Sequence, residues 1–119
     1  MLINYREKQR LTRQTWREEL AGMGITLPEV VEMVAGVIAA NGEAVVSCYH
    51  FRAPAGDPGA IVVCHNLGRG ALFFGRNIQW GQWDETSETL TLEGSGEKIS
   101  FEGKPVYEGD DGSCSLGNF

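Results

Sequence analysis

Both histidines and two of the three cysteines of this 119-residue chain fall in one stretch, CYHFRAPAGDPGAIVVCHN, residues 48–66. Cys48 and His50 lie two apart, and Cys64 and His65 are neighbours. Such groups ligate metals, act as nucleophile and base, or simply pack in a core. Pairing 43–53 with 59–68 in a hairpin that turns near Gly56-Asp57 puts Cys48 and His50 on one face, because side chains alternate along a strand. An even register adds Cys64 to that face and an odd one adds His65. Cys114 could reach it from the tail as a fourth group.

Zinc sites are usually announced by paired C-x₂₋₄-C or H-x₃₋₅-H spacings, and the chain has neither. No metal and no cofactor are therefore expected. As nucleophile and base, Cys64 and His65 fail because they point to opposite faces, while Cys48 across from His65 would serve. No oxyanion-type loop accompanies that pair, and no catalytic residue is assigned. The adopted reading is a hairpin with its thiols in the core. The alternative is a small enzyme or ligand-binding domain, with a pocket between sheet and helices around Cys48, Tyr49, His50, Cys64 and His65.

Two helices are expected to precede the hairpin. The first is expected over about 4–23, where Leu2, just ahead of it, and Tyr5, Gln9, Thr12, Trp16, Leu20 and Met23 recur by threes and fours as one helical face. Beside that face runs an arginine stripe, Arg6, Arg10, Arg13 and Arg17. It suits an acidic partner or nucleic-acid phosphates, and supports nucleic-acid binding as a second alternative. In TLPEVVEMVAGVIAANGE the second helix has Thr26 as N-cap, Pro28 in the first turn and Asn41-Gly42 as its stop. Val30, Val31, Val34, Ile38 and Ala39 form its apolar side.

From Glu43 onward the pattern is β. AVVSCYHF, AIVVCHNL and ALFFGRNIQW read as strands, with Gly-Arg-Gly as a turn and not a phosphate loop. TLTLEGSGEKISFEG is a hairpin, with Leu90, Leu92, Ile99 and Phe101 alternating against polar residues. PVYE adds an edge strand starting at Pro105. The expected fold is α+β: two N-terminal helices packed on a curved antiparallel meander of five or six strands. It forms a single domain over 1–119, with a helical part at 1–42, the meander at 43–108 and a loose tail at 109–119. A small closed barrel is the alternative architecture.

Net charge is −6, and it is polarised. Residues 1–20 are basic on balance, whereas 84–111 hold nine acidic side chains against Lys98 and Lys104. That acidity argues against nucleic acid as the main target. Trp80 and Trp83 flank Gly81, a candidate bulge, and one of the two rings is expected in the core. The size and charge suit a non-enzymatic macromolecule-binding protein of inhibitor, immunity or adaptor type, such as phage or mobile-element anti-defence proteins. It would act through its acidic surface on a protein partner. The partner-binding candidates are Asp84, Glu85, Glu88, Trp80, Trp83, Arg6, Arg10, Arg13 and Arg17. With no apolar leader or membrane span, a cytoplasmic location with reduced thiols is expected. A homodimer is a further expectation, because the helix stripe and the sheet edges are self-complementary surfaces.

Overall fold

The computed structural model describes residues 2–52, 58–74, 76–102 and 106–108. The elements run β1 (Leu2–Thr12), α1 (Trp16–Gly22), α2 (Pro28–Asn41), β2 (Glu43–Arg52), β3 (Pro58–Cys64), β4 (Arg69–Phe74), β5 (Asn77–Asp84), β6 (Thr89–Leu92), β7 (Lys98–Ser100) and β8 (Val106–Glu108). They form one sheet in the order β7-β6-β5-β4-β3-β2-β1-β8. All neighbours are antiparallel except β8, which runs parallel to β1. The fold is α+β, with two helices and an antiparallel meander.

The first expected helix is corrected. Residues 2–12 form a strand, and only Trp16–Gly22 is helical. Lys, Gln, Arg and Glu favour helices in isolation. Here β1 extends a sheet whose next strand, β2, is made of strongly β-forming residues, and that partner outweighs local preference. The ladder is interrupted by an irregularity between Ile3 and Arg6. α1 ends in a left-handed Gly24 at φ 77°, with Gly24 N–H bonded to Ala21 O and Ile25 N–H to Leu20 O. That is the Schellman arrangement.

α2 starts one residue later than expected. Leu27 is the N-cap, no side chain caps the end, and Thr26 is exposed. The helix stops at Gly42, whose φ is 84° and whose N–H bonds to Ile38 O. Val30, Val34, Val37 and Ile38 are buried, while Val31 is half-buried and Ala39 exposed. The apolar face is thus rotated slightly from the one read in the sequence.

The strand count is also corrected, from five or six to eight. ALFFGRNIQW is not one strand: Phe74 pairs with Asn77 at the closed end of the β4–β5 hairpin. The hairpin at 89–100 matches expectation, with Leu90 opposite Ile99, and Val106–Glu108 is an edge strand. The sheet ends at β7 and β8, so the pairing among the described residues does not close a barrel. The turn near Gly56-Asp57, Pro105, and the tail 109–119 with Cys114 lie outside the described residues.

Both faces of the central strands are buried, which explains why β2 and β3 read as almost continuous apolar runs. On the outer face Leu11, Val46, Cys48, Val62, Cys64 and Ala71 pack with Trp16, Leu20, Val30, Val34 and Ile38 of the helices. On the inner face Tyr49, Phe51, Ile61, Val63, Leu72, Trp83, Leu90, Leu92 and Phe101 form a second core. Among the described residues no helix packs on it, and the sheet curls over itself instead. Tyr49 on β2 stacks on Phe101, just past β7, at 3.8 Å between ring centroids.

Two glycines permit that curl. Gly70 and Gly81 face each other across β4 and β5. A Cβ on Gly81 would lie 2.7 Å from Thr91 O and 3.0 Å from Leu90 Cδ1, and one on Gly70 would lie 2.9 Å from Val62 O. The absent side chains make room for Leu90 on the inner face. Gly81 pairs in regular register with Gly70 and Leu92, so it marks a close approach and not a bulge.

Candidate functional site

The register of β2 and β3 decides the fate of the Cys/His stretch. Val46 pairs with Cys64, Cys48 with Val62, and His50 with Ala60. Cys48, His50 and Cys64 therefore share the outer face, under the helices, at 0%, 5% and 0% exposure. The Cys48 thiol lies 3.6 Å from His50 Nε2. Burial pushes the Cys64 thiol above its ordinary value, against opposing hydrogen bonds from the Leu67 and Asn66 backbones. Both thiols are packed in the outer core, and burial disfavours the reactive thiolate form of Cys64.

His65 goes to the other face. The pocket expected around Cys48, His50 and His65 is thus not assembled, because the sheet separates His65 from the other two. Among the described residues no group of three or more His, Cys, Asp or Glu side chains could hold a metal ion.

His65 instead joins a chain of hydrogen bonds at the rim of the inner face. Its Nε2 lies 2.7 Å from Ser47 Oγ, and its Nδ1 lies 2.6 Å from Glu85 Oε1. Trp83 Nε1–H donates to the same Glu85 oxygen at 2.8 Å. An ionised carboxylate only accepts, so in the neutral ring Nδ1 carries the proton and Nε2 accepts from the Ser47 hydroxyl.

Further hydrogen bonds hold His65 and Trp83 in place. His65 N–H bonds to Val45 O, Val45 N–H to Asn66 Oδ1, and Trp83 N–H to Gly68 O. Gly68 has φ 61° and completes the 65–68 turn between β3 and β4, so Gly-Arg-Gly belongs to a turn and a strand start. The imidazole meets the Trp83 ring edge-on, at 5.7 Å and 86°. Lys8, which pairs with Ser47 across β1 and β2, lines a small recess of about 240 Å³ with Val45, His65, Asn66 and Glu85.

Desolvation pushes the Glu85 carboxyl up. The hydrogen bonds from His65 and Trp83, with the attraction of His65 and Lys8, outweigh it and hold the group below its ordinary value.

Beside this chain opens a groove of about 850 Å³, lined by Gln82, Trp83, Asp84, Glu85, Thr91, Leu92, Glu93, Gly96 and Lys98. Three of its carboxylates face one lysine. Asp84 also organises the turn between β5 and β6, accepting from Thr86 N–H at 2.9 Å and Ser87 N–H at 3.2 Å. Glu88 sits in that turn at φ 50° and its carbonyl accepts from Phe101 N–H.

The two tryptophans lie on opposite faces of β5, as their spacing implied. Trp83 is in the inner core, and Trp80 is half-buried against the outer core. The Arg69 guanidinium covers the Trp80 ring at 4.7 Å.

The arginine stripe is corrected. Arg6 and Arg10 belong to β1, Arg13 to the turn after it, and Arg17 to α1. Arg10 pairs with Glu43 at 3.0 Å, Arg13 lies against Gly42, and Arg17 stacks 4.6 Å over Trp16. They do not share one helical face.

Sequence reasoning missed Ser47, Lys8 and Asn66. One signal was present: Ser47 interrupts an apolar strand, and a buried hydroxyl needs a partner. No protein-family model, curated protein or solved structure matches the chain. Among the described residues no helix is long and apolar enough to cross a membrane.

Proposed function

We propose that the protein acts by binding a macromolecular partner, a protein with a basic surface, through the acidic groove at the β5–β6–β7 end. The observation that carries this reading is the groove itself, an open concavity whose charged lining is Asp84, Glu85 and Glu93 against Lys98. The net negative charge of this concave lining favours encounter with a basic partner and sets its orientation. On this reading the protein is of inhibitor, immunity or adaptor type, such as an anti-defence protein of a phage or mobile element.

The test begins with affinity capture of the tagged protein from a lysate of its source, with and without nuclease. The partner's affinity is then measured for a D84N/E85Q/E93Q variant, which keeps the side-chain acceptors and removes three charges. The reading expects at least tenfold weaker binding and a shallower salt dependence. Unchanged affinity would reject it.

A second reading is favoured by one observation. Ser47 Oγ, His65 Nε2, His65 Nδ1 and Glu85 Oε1 are connected as in a Ser–His–carboxylate hydrolase. It stands second because Ser47 is 0% exposed, leaving an acyl group no path to its oxygen. Treatment with a fluorophosphonate decides the matter: a Ser47 adduct found by peptide mass spectrometry would promote the hydrolase reading.

A further inference from the structure

We propose that the Ser47–His65–Glu85–Trp83 chain is a proton-sensitive clasp that couples the acidic groove to the inner aromatic core. Its consequence for partner binding rests on the groove reading above, while its test needs no partner.

A single oxygen, Glu85 Oε1, accepts from both His65 Nδ1 and Trp83 Nε1. The Glu85 side chain is 63% exposed, whereas that of His65 is 10% exposed. A carboxylate open to solvent is thus the shared acceptor for two enclosed donors, one in the turn after β3 and one on β5. Charge-assisted hydrogen bonds of this type are about twice as strong as neutral ones. Protonating Glu85 removes the charge from both bonds at once.

The consequences reach inward along packed rings. Trp83 lies edge-on to His65 and 5.7 Å from Phe101, which stacks on Tyr49. They also reach outward, because Glu85 and Trp83 both line the groove. A cationic side chain of a partner that takes the Glu85 carboxylate draws on the same charge that strengthens the His65 and Trp83 bonds, so acidification and occupancy act on one latch. The charged groups around Glu85 are Lys8 from β1, His65 from the turn after β3, Asp84 from β5, and Glu93 and Lys98 across the groove. Lys8 and Lys98 favour the ionised form, and Asp84 and Glu93 oppose it.

The experiment is a pH titration from 7 to 3 of the ¹⁵N-labelled full chain, observing the three tryptophan indole N–H resonances. A W83F variant assigns the Trp83 signal, and Trp16 and Trp80 serve as internal controls. The expected result is that the Trp83 resonance shifts alone, with a carboxylate midpoint below the ordinary glutamate value of about 4.3. Its exchange with water should speed up over the same range. E85Q, which keeps the acceptor and removes the titration, should abolish that movement, and H65Q should raise the midpoint. A Trp83 signal that stays still, one that moves only together with Trp16 and Trp80, or one that titrates identically in E85Q would overturn the clasp. If the clasp titrates as expected and the neutralised groove still binds its partner fully, only the groove reading fails.

Discussion

Replacing His65 by alanine tests the rim network most directly. Ser47 is fully buried and its hydroxyl is partnered by His65 Nε2. Removing the ring takes away that partner, at about 1–3 kcal/mol. The edge-on contact with Trp83 adds roughly 0.5–1.5 kcal/mol. The bond to Glu85 adds about 0–1 kcal/mol, discounted because that carboxylate is mostly in solvent. These terms share atoms and are not additive, so the expected loss is about 2–4 kcal/mol, a large share of the 5–15 kcal/mol typical of a domain.

Ser47→Ala should cost less, about 1 kcal/mol, because the His65 edge reaches solvent. In the H65A background the same substitution should be neutral or stabilising, since it removes the stranded hydroxyl. The double-mutant cycle should therefore show a coupling of about 1–2 kcal/mol. The assay is equilibrium unfolding in urea by circular dichroism, with equal slopes for all four proteins as the condition for comparison. A cost for H65A below about 0.5 kcal/mol, or the same cost for S47A in both backgrounds, would refute the reasoning.

Further outcomes follow from the same geometry. G81A should lose about 1–3 kcal/mol in the same unfolding assay, because its Cβ would sit 2.7 Å from the Thr91 carbonyl oxygen. G36A, exposed in mid-helix with nothing within 4 Å of the new Cβ, should gain about 0.5–1 kcal/mol. If the two shift stability in the same direction, the packing argument fails. Glu85 is held below its ordinary value, so its contribution is complete above that value and fades as pH falls through the lowered one. The stability gap between the wild-type protein and E85Q should accordingly shrink below about pH 4; a gap that widens in acid would contradict the sign. Iodoacetamide at pH 8 should leave Cys48 and Cys64 unlabelled in the folded protein and label both in denaturant, as mapped by peptide mass spectrometry.

Several elements were legible because their signals are local. Pro28 at the helix start and Gly42 at its end bracket α2 through backbone geometry that few other residues supply. Leu90, Leu92, Ile99 and Phe101 alternate cleanly around a glycine turn, and the hairpin forms as read. The three-residue spacing of Trp80 and Trp83 placed them on opposite faces, and they are. The acidic rim was equally plain, since charge is a property of composition.

The candidate site was legible only in part, and the reason is register. His65 stood out as a residue type, but its partners are 18 and 20 positions away. A one-residue slip between β2 and β3 would have exchanged it with Cys64. The turn chemistry bounds that register but does not choose it. What chooses it is the simultaneous burial of Val46, Cys48, Val62 and Cys64 under the helices and of Tyr49, Ile61 and Val63 in the curled inner face.

The same holds for β1. Residues 2–12 carry helix-forming side chains, and their local pattern reads as a helix that the folded sheet overrules by offering β2 as a partner. The sequence by itself therefore determined the α+β class, α2, the 89–100 hairpin and the acidic rim, all of which depend on neighbours in the chain. The first strand, the curl of the sheet and the Ser47–His65–Glu85–Trp83 chain were decided by tertiary structure alone. Each depends on which distant strand lies alongside, and that free energy is shared by both cores at once and resides in no single segment.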